Sequence, residues 1–124
     1  MKLLNDFFEL LSSEQCDNIY RCRVKFNPDH RIYKAHFPGY PVTPGVCLMQ
    51  MGEEMLEQKY QKQLQLSVVK AIRFRKIVGP EDTPTFDFTN EVLKENVLSA
   101  EVTVYDEQGE SVKMSLLYNV LNEE

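Results

Sequence analysis

The sequence predicts an α+β fold in which one antiparallel sheet wraps a single helix. Three observations carry this. Most of the chain alternates apolar and polar residues with period two, the pattern of half-buried strands. Only the stretch from Pro44 to about Gln61 changes to helical spacing. The first turns of that stretch, Val46-Cys47-Leu48-Met49 with Met51, are apolar nearly all round, so this half is expected to be sheathed by protein on every side.

In chain order, Phe7 to Gln15 reads as either a strand or a short helix, and we take a strand that turns through Cys16-Asp17-Asn18 onto the next one. The clearest strand runs from Tyr20 to Phe26. It sets Tyr20, Cys22, Val24 and Phe26 on one face and Arg21, Arg23 and Lys25 on the other. In the helical stretch Thr43 is expected to cap, Pro44 suits the first turn, and Glu53, Glu54 and Glu57 precede Lys59 and Lys62. A strand is expected over Val68 to Val78, where Ile72 and Phe74 alternate with Arg73 and Arg75, closed by Gly79-Pro80-Glu81-Asp82. Phe86 and Phe88 alternate with Thr85, Asp87 and Thr89, and Leu98, Ala100, Val102 and Val104 alternate with Ser99, Glu101 and Thr103. A turn at Asp106-Glu107-Gln108-Gly109 then returns the chain into Val112 to Val120. The C-terminal half is therefore expected to be a meander.

With 124 residues the chain supports one domain, 1–124, and its 43% hydrophobic and 27% charged residues suit a buried core under a polar surface. Fourteen Lys and Arg against nineteen Asp and Glu leave a net charge of −5, so the basic footprint of a nucleic-acid binder is missing. The apolar run Val46-Cys47-Leu48-Met49 is far short of a membrane span, and no membrane association is expected. The segment after Lys2 is broken by Asn5, Asp6 and Glu9, unlike a secretory leader, so a cytoplasmic location is expected. Cys16, Cys22 and Cys47 form no CxxC pair, which suggests reduced thiols and neither a disulfide framework nor a metal site.

Chemistry concentrates in residues 36 to 45, His36-Phe37-Pro38-Gly39-Tyr40-Pro41-Val42-Thr43-Pro44-Gly45, which hold three of the six prolines and two of the five glycines. Such a loop is stiff and is delivered into a helix N-terminus. The free amides around Gly45 and Val46, aided by the helix dipole, could polarise a carbonyl; composition alone equally allows a stiff connection without a ligand.

Together with Val46, this stretch resembles the HFPGxPxxPGV signature of the FabA/FabZ-type 3-hydroxyacyl-acyl-carrier-protein dehydratases, which have the hotdog fold. Two further stretches are similar to that family. Lys25-Phe26-Asn27-Pro28-Asp29-His30 with Ile32-Tyr33-Lys34 looks like the strand entering the loop, and Lys70 to Pro80 looks like the FRRPVxPGD strand and turn. The resemblance covers roughly residues 19 to 120. It implies a hotdog fold, dehydration of 3-hydroxyacyl thioesters in fatty-acid or related lipid or polyene synthesis, and a homodimer whose site spans the interface, with a trimer of dimers as a further option. No metal or cofactor is expected.

The resemblance makes His36 the general base and puts the acid fourteen positions later, where this chain has Gln50. An amide donates no proton, and general acid catalysis is commonly worth ~10²–10⁴ in rate. One turn on, Glu54 shares a helix face with Gln50, so acid and amide look exchanged; burial would then keep Glu54 protonated. Phe37, Gly45 and Val46 are the expected substrate contacts. Arg73, Arg75 and Lys76 are the expected docking surface for an acidic acyl carrier protein, coenzyme A being the alternative carrier. His30 reads as a solvated loop residue, Arg21, Arg23 and Lys25 as an ordinary wet face, and Cys47 as a packed thiol. Two other functions stay open: a hotdog thioesterase, in which neutral Gln50 polarises the carbonyl, and a non-catalytic acyl-carrier-binding subunit.

Overall fold

The computed structural model describes residues 2–35, 39 and 41–121. The elements run β1 (Phe8–Cys16), β2 (Ile19–Phe26), α1 (Arg31–Ala35), α2 (Gly45–Tyr60), β3 (Gln63–Phe74), β4 (Thr85–Lys94), β5 (Val97–Asp106) and β6 (Gly109–Leu121). All strands join one antiparallel sheet in the order β1-β2-β4-β5-β6-β3. The expected sheet around a helix is what forms.

Register follows the alternation. Tyr20 pairs with Phe88 and Cys22 with Phe86, while Phe88 pairs with Val102 and Val102 with Met114, so apolar residues of four strands meet on one face. A slip of one residue would turn that whole face to water, and each fully buried Leu, Met or Phe is worth roughly 1.5–3 kcal/mol. Cys47, Leu48, Met51, Met55 and Leu56 of α2 complete the same core. Gly52 lets the helix lie close: a Cβ there would stand 3.3 Å from Tyr118 Oη and 3.6 Å from Phe88 Cε1.

Several boundaries differ from the sequence reading, each for a local reason. Thr43 does not cap α2; Pro44 occupies the cap position without a side-chain bond, and Thr43 Oγ1 lies 2.8 Å from Tyr33 Oη instead. Residues 31–35, expected to be extended, form α1. Strand β3 starts at Gln63 and stops at Phe74, earlier at both ends than the period suggests. Gln61 takes a left-handed conformation that reverses the chain, and the helix carboxylates of Glu57 and Glu53 then accept the Leu64 and Leu66 amides at 2.8 and 2.6 Å. At the far end the amides of Arg75 and Lys76 both turn to Ser111 O, which ends the ladder. His30 is buried, not solvated: Ile32 N–H donates to its Nδ1, so Nε2 carries the proton and donates to Asp6 Oδ2 at 3.1 Å. Arg21 stays on the wet face, where it makes a two-pronged ion pair with its cross-strand neighbour Asp87, at 2.8 and 3.0 Å.

Candidate active site

Residues 41–44 lead directly into α2, and Gly39 takes a φ of 80°, a conformation that favours glycine. His36 and Phe37 lie outside the described residues. Cys47 and Leu48 donate back to Pro44 O. Among the described residues no hydrogen bond takes up the Gly45 and Val46 amides, and no acidic side chain occupies the first turn. The positive end of the helix therefore has no acceptor among the described residues.

Gly45, at the start of α2, lines an apolar cavity of about 400 Å³ together with Thr43, Leu48, Phe74, Ile77 and Val112 among others. Gly45 lets the Phe74 ring lie close against the helix start, since a Cβ there would come within 2.8 Å of Phe74 Cζ and push the ring aside. Val46, Phe74 and Ile77, each about 60% exposed, form an uncovered apolar rim around the helix start (62%, 60% and 59%).

One turn further in stand Gln50 and Glu54. Gln50 is half-buried, whereas Glu54 is only 3% exposed. Gln50 Nε2 donates to Glu54 Oε2 at 2.9 Å, as the i, i+4 spacing allows. The same carboxylate accepts the Leu3 amide, at 3.0 Å to Oε1 and 2.8 Å to Oε2, and the Leu4 amide at 2.7 Å to Oε1. Burial pushes the neighbouring Glu53 carboxyl up, opposed by its bonds from the Leu66 amide and Gln50. Nothing in the sequence flags the contacts from Leu3 and Leu4, since their donors are backbone groups.

The basic residues expected to dock a carrier are half-exposed or nearly so but not bare. Arg73 and Arg75 share Glu110, at 3.0 and 3.1 Å, and Lys76 pairs with Asp106 at 2.7 Å. The arginines hold Glu110 below the usual carboxylate range, and Lys76 does the same for Asp106. Cys47 is buried, and desolvation pushes its thiol up, away from the thiolate a nucleophile needs.

Residues 12–113 match the family described as ApeI-like, ApeI dehydratase. Among curated proteins the chain is 30% identical to a 3-hydroxyacyl-[acyl-carrier-protein] dehydratase FabZ of Oenococcus oeni, over 95% of this chain and 87% of that one. Among solved structures it superposes on the dehydratase heterocomplex ApeI:P from Xenorhabdus doucetiae with a TM-score of 0.70 at 15% identity, covering 89% of this chain and 96% of the other. A hypothetical thioesterase from Streptococcus pneumoniae, determined with coenzyme A, superposes with a TM-score of 0.64 at 12% identity, over 94% and 88%.

Proposed function

We propose a course for the reaction from the premise that the chain belongs to the family of ApeI-like and FabZ-type 3-hydroxyacyl-[acyl-carrier-protein] dehydratases. Its function is accordingly that of a 3-hydroxyacyl thioester dehydratase, a lyase that removes water to leave a trans-2-enoyl thioester. The observation that carries the proposed course is the open N-terminus of α2 beside an apolar cavity, with the Gln50 amide fixed by Glu54 one turn in. The Gly45 and Val46 amides receive the thioester oxygen, so charge that develops there as the α-proton leaves meets two N–H groups and the helix dipole. Phe37 is assigned to the acyl chain on the strength of the family motif alone.

His36 takes the α-proton and its imidazolium returns one to the departing hydroxyl, so water leaves and no other acid is consumed. The amide oxygen of Gln50 has two lone pairs and accepts from the 3-hydroxyl, holding it in line. Glu54 was expected to be the proton donor, but N–H groups from Leu3, Leu4 and Gln50 converge on both of its oxygens, which supports an orienting role. A second reading follows from the same departure. The relative from Xenorhabdus doucetiae is a heterocomplex, and a mixed dimer would let a partner chain supply the carboxylic acid that Gln50 replaces here.

The substrate is carried on acyl carrier protein or on coenzyme A, in the cytoplasm, for fatty-acid or related lipid or polyene synthesis. Two arginines share one glutamate, so the Arg73, Arg75 and Glu110 cluster keeps a surplus positive charge for an acidic carrier. The unit is a dimer. Its support is the free edge of β3, where Val68 and Val69 are 45% and 39% exposed, an edge that a second strand would pair. Light scattering at micromolar concentration is expected to give twice the chain mass; a monomer would overturn the dimer. Incubation with a 3-hydroxyacyl carrier thioester is expected to yield the enoyl thioester, seen by its absorbance and by mass. Free acid plus thiol would identify a thioesterase instead, and an unchanged substrate a carrier-binding subunit.

A further inference from the structure

The N-terminal segment touches Glu54 of α2 and the residues that precede His36 in the chain. At one end the Leu3 and Leu4 amides, on a segment whose Leu3 side chain is 2% exposed, close on the Glu54 carboxylate that also fixes Gln50 Nε2. At the other end Asp6 and Phe7 grip the residues that lead to His36. Asp6 accepts from His30, and Asn27 Nδ2 donates to Asp6 O at 3.1 Å. Phe7, fully buried, stacks on Tyr33 of α1 at 5.2 Å and meets the His30 ring edge-on at the same distance. Tyr33 in turn is bonded to Thr43, whose amide donates to Val78 O, at the base of the loop.

We infer that residues 2–7 are a positioning strap for the active site, fixing the Gln50 amide through Glu54 and the approach to His36 through α1. Glu54 is then a positioning residue. Its carboxylate is the buried node that joins strap to helix, and removing either side would leave polar groups unpaired in the core. The strap sets where the 3-hydroxyl is held, and a misplacement of about 1 Å in such a group costs up to ~10²-fold in rate. This inference rests on the proposed role of Gln50.

The test uses two variants that leave both site side chains in place. Leu4→Pro deletes one N–H that Glu54 accepts, at a half-buried side chain. Asp6→Ala, at a side chain 70% exposed, cuts the His30 bond with little risk to the fold. The readouts are kcat and KM for the 3-hydroxyacyl thioester, and the side-chain amide resonance of Gln50 by ¹⁵N NMR. In the unaltered protein that amide, bonded to a carboxylate, is expected to be shifted and slow to exchange. Leu4→Pro should lose this signature and lower kcat about 10-fold or more with KM little changed, and Asp6→Ala should lower kcat a few-fold. An unchanged kcat in both variants, or a retained Gln50 signature in folded Leu4→Pro, overturns the strap. If Leu4→Pro does not fold, Asp6→Ala alone decides by its kcat. If the unaltered protein makes no enoyl product, the proposed reaction fails, and the Gln50 resonance alone then decides the inference.

Discussion

Replacing His36 with alanine is expected to abolish turnover of a 3-hydroxyacyl thioester, by ~10²–10⁴-fold or more, while the protein stays folded. The family motif puts the base at this position, and the proposed course has the same imidazole return the proton, so its loss removes two steps at once. The other of the two histidines cannot substitute. The second one, His30, is committed on both ring nitrogens to Ile32 and Asp6. The core under α2 is built from residues such as Cys47, Leu48 and Met51, which His36→Ala leaves unchanged, so the melting temperature is expected to move by only a few degrees. Enoyl product formed by His36→Ala at the rate of the unaltered protein would remove this residue from the mechanism.

Most of the sheet was legible because β2, β4, β5 and β6 carry their own period. In β5, for instance, Leu98, Ala100, Val102 and Val104 are all buried, whereas Ser99, Glu101 and Thr103 are not. The helix was legible for the opposite reason, since Pro44 and the break in period mark its start. What failed were ends and contacts set by groups at a distance. Thr43 has the right side chain for a cap but finds the Tyr33 hydroxyl. Strand β3 begins where Glu53 and Glu57 reach its amides, which no window of β3 residues contains. His30 reads as a solvated loop residue because Asp6, 24 positions away, and Phe7 beside it are what close over it. At the site, the departure at Gln50 and its pairing with Glu54 on one helix face were both visible in the spacing. The backbone donors from Leu3 and Leu4 were not, because an amide N–H belongs to every residue but proline and leaves no mark in a sequence.

Gln50→Glu separates the two enzymatic readings. Its new carboxyl would stand where Gln50 Nε2 now lies, 2.9 Å from Glu54 Oε2. Two carboxyl groups so close do not both ionise, and the pair retains one proton that each oxygen can share. In a dehydratase this restores an acid at the position where the family carries one, so turnover should be preserved or raised by up to ~10²-fold. The gain should have a pH signature. The shared proton is present below the apparent pKa of the pair and lost above it, so kcat of Gln50→Glu should fall on the alkaline side while the unaltered protein shows no such limb. In a thioesterase Gln50 instead donates to a developing oxyanion, and replacing a donor with an acidic acceptor should cost ~10²–10³ in kcat. The direction of change therefore decides between them, measured as enoyl thioester formed or thiol released from the same substrate, and a fall in enoyl formation across the whole pH range would sink the dehydratase role assigned to this position.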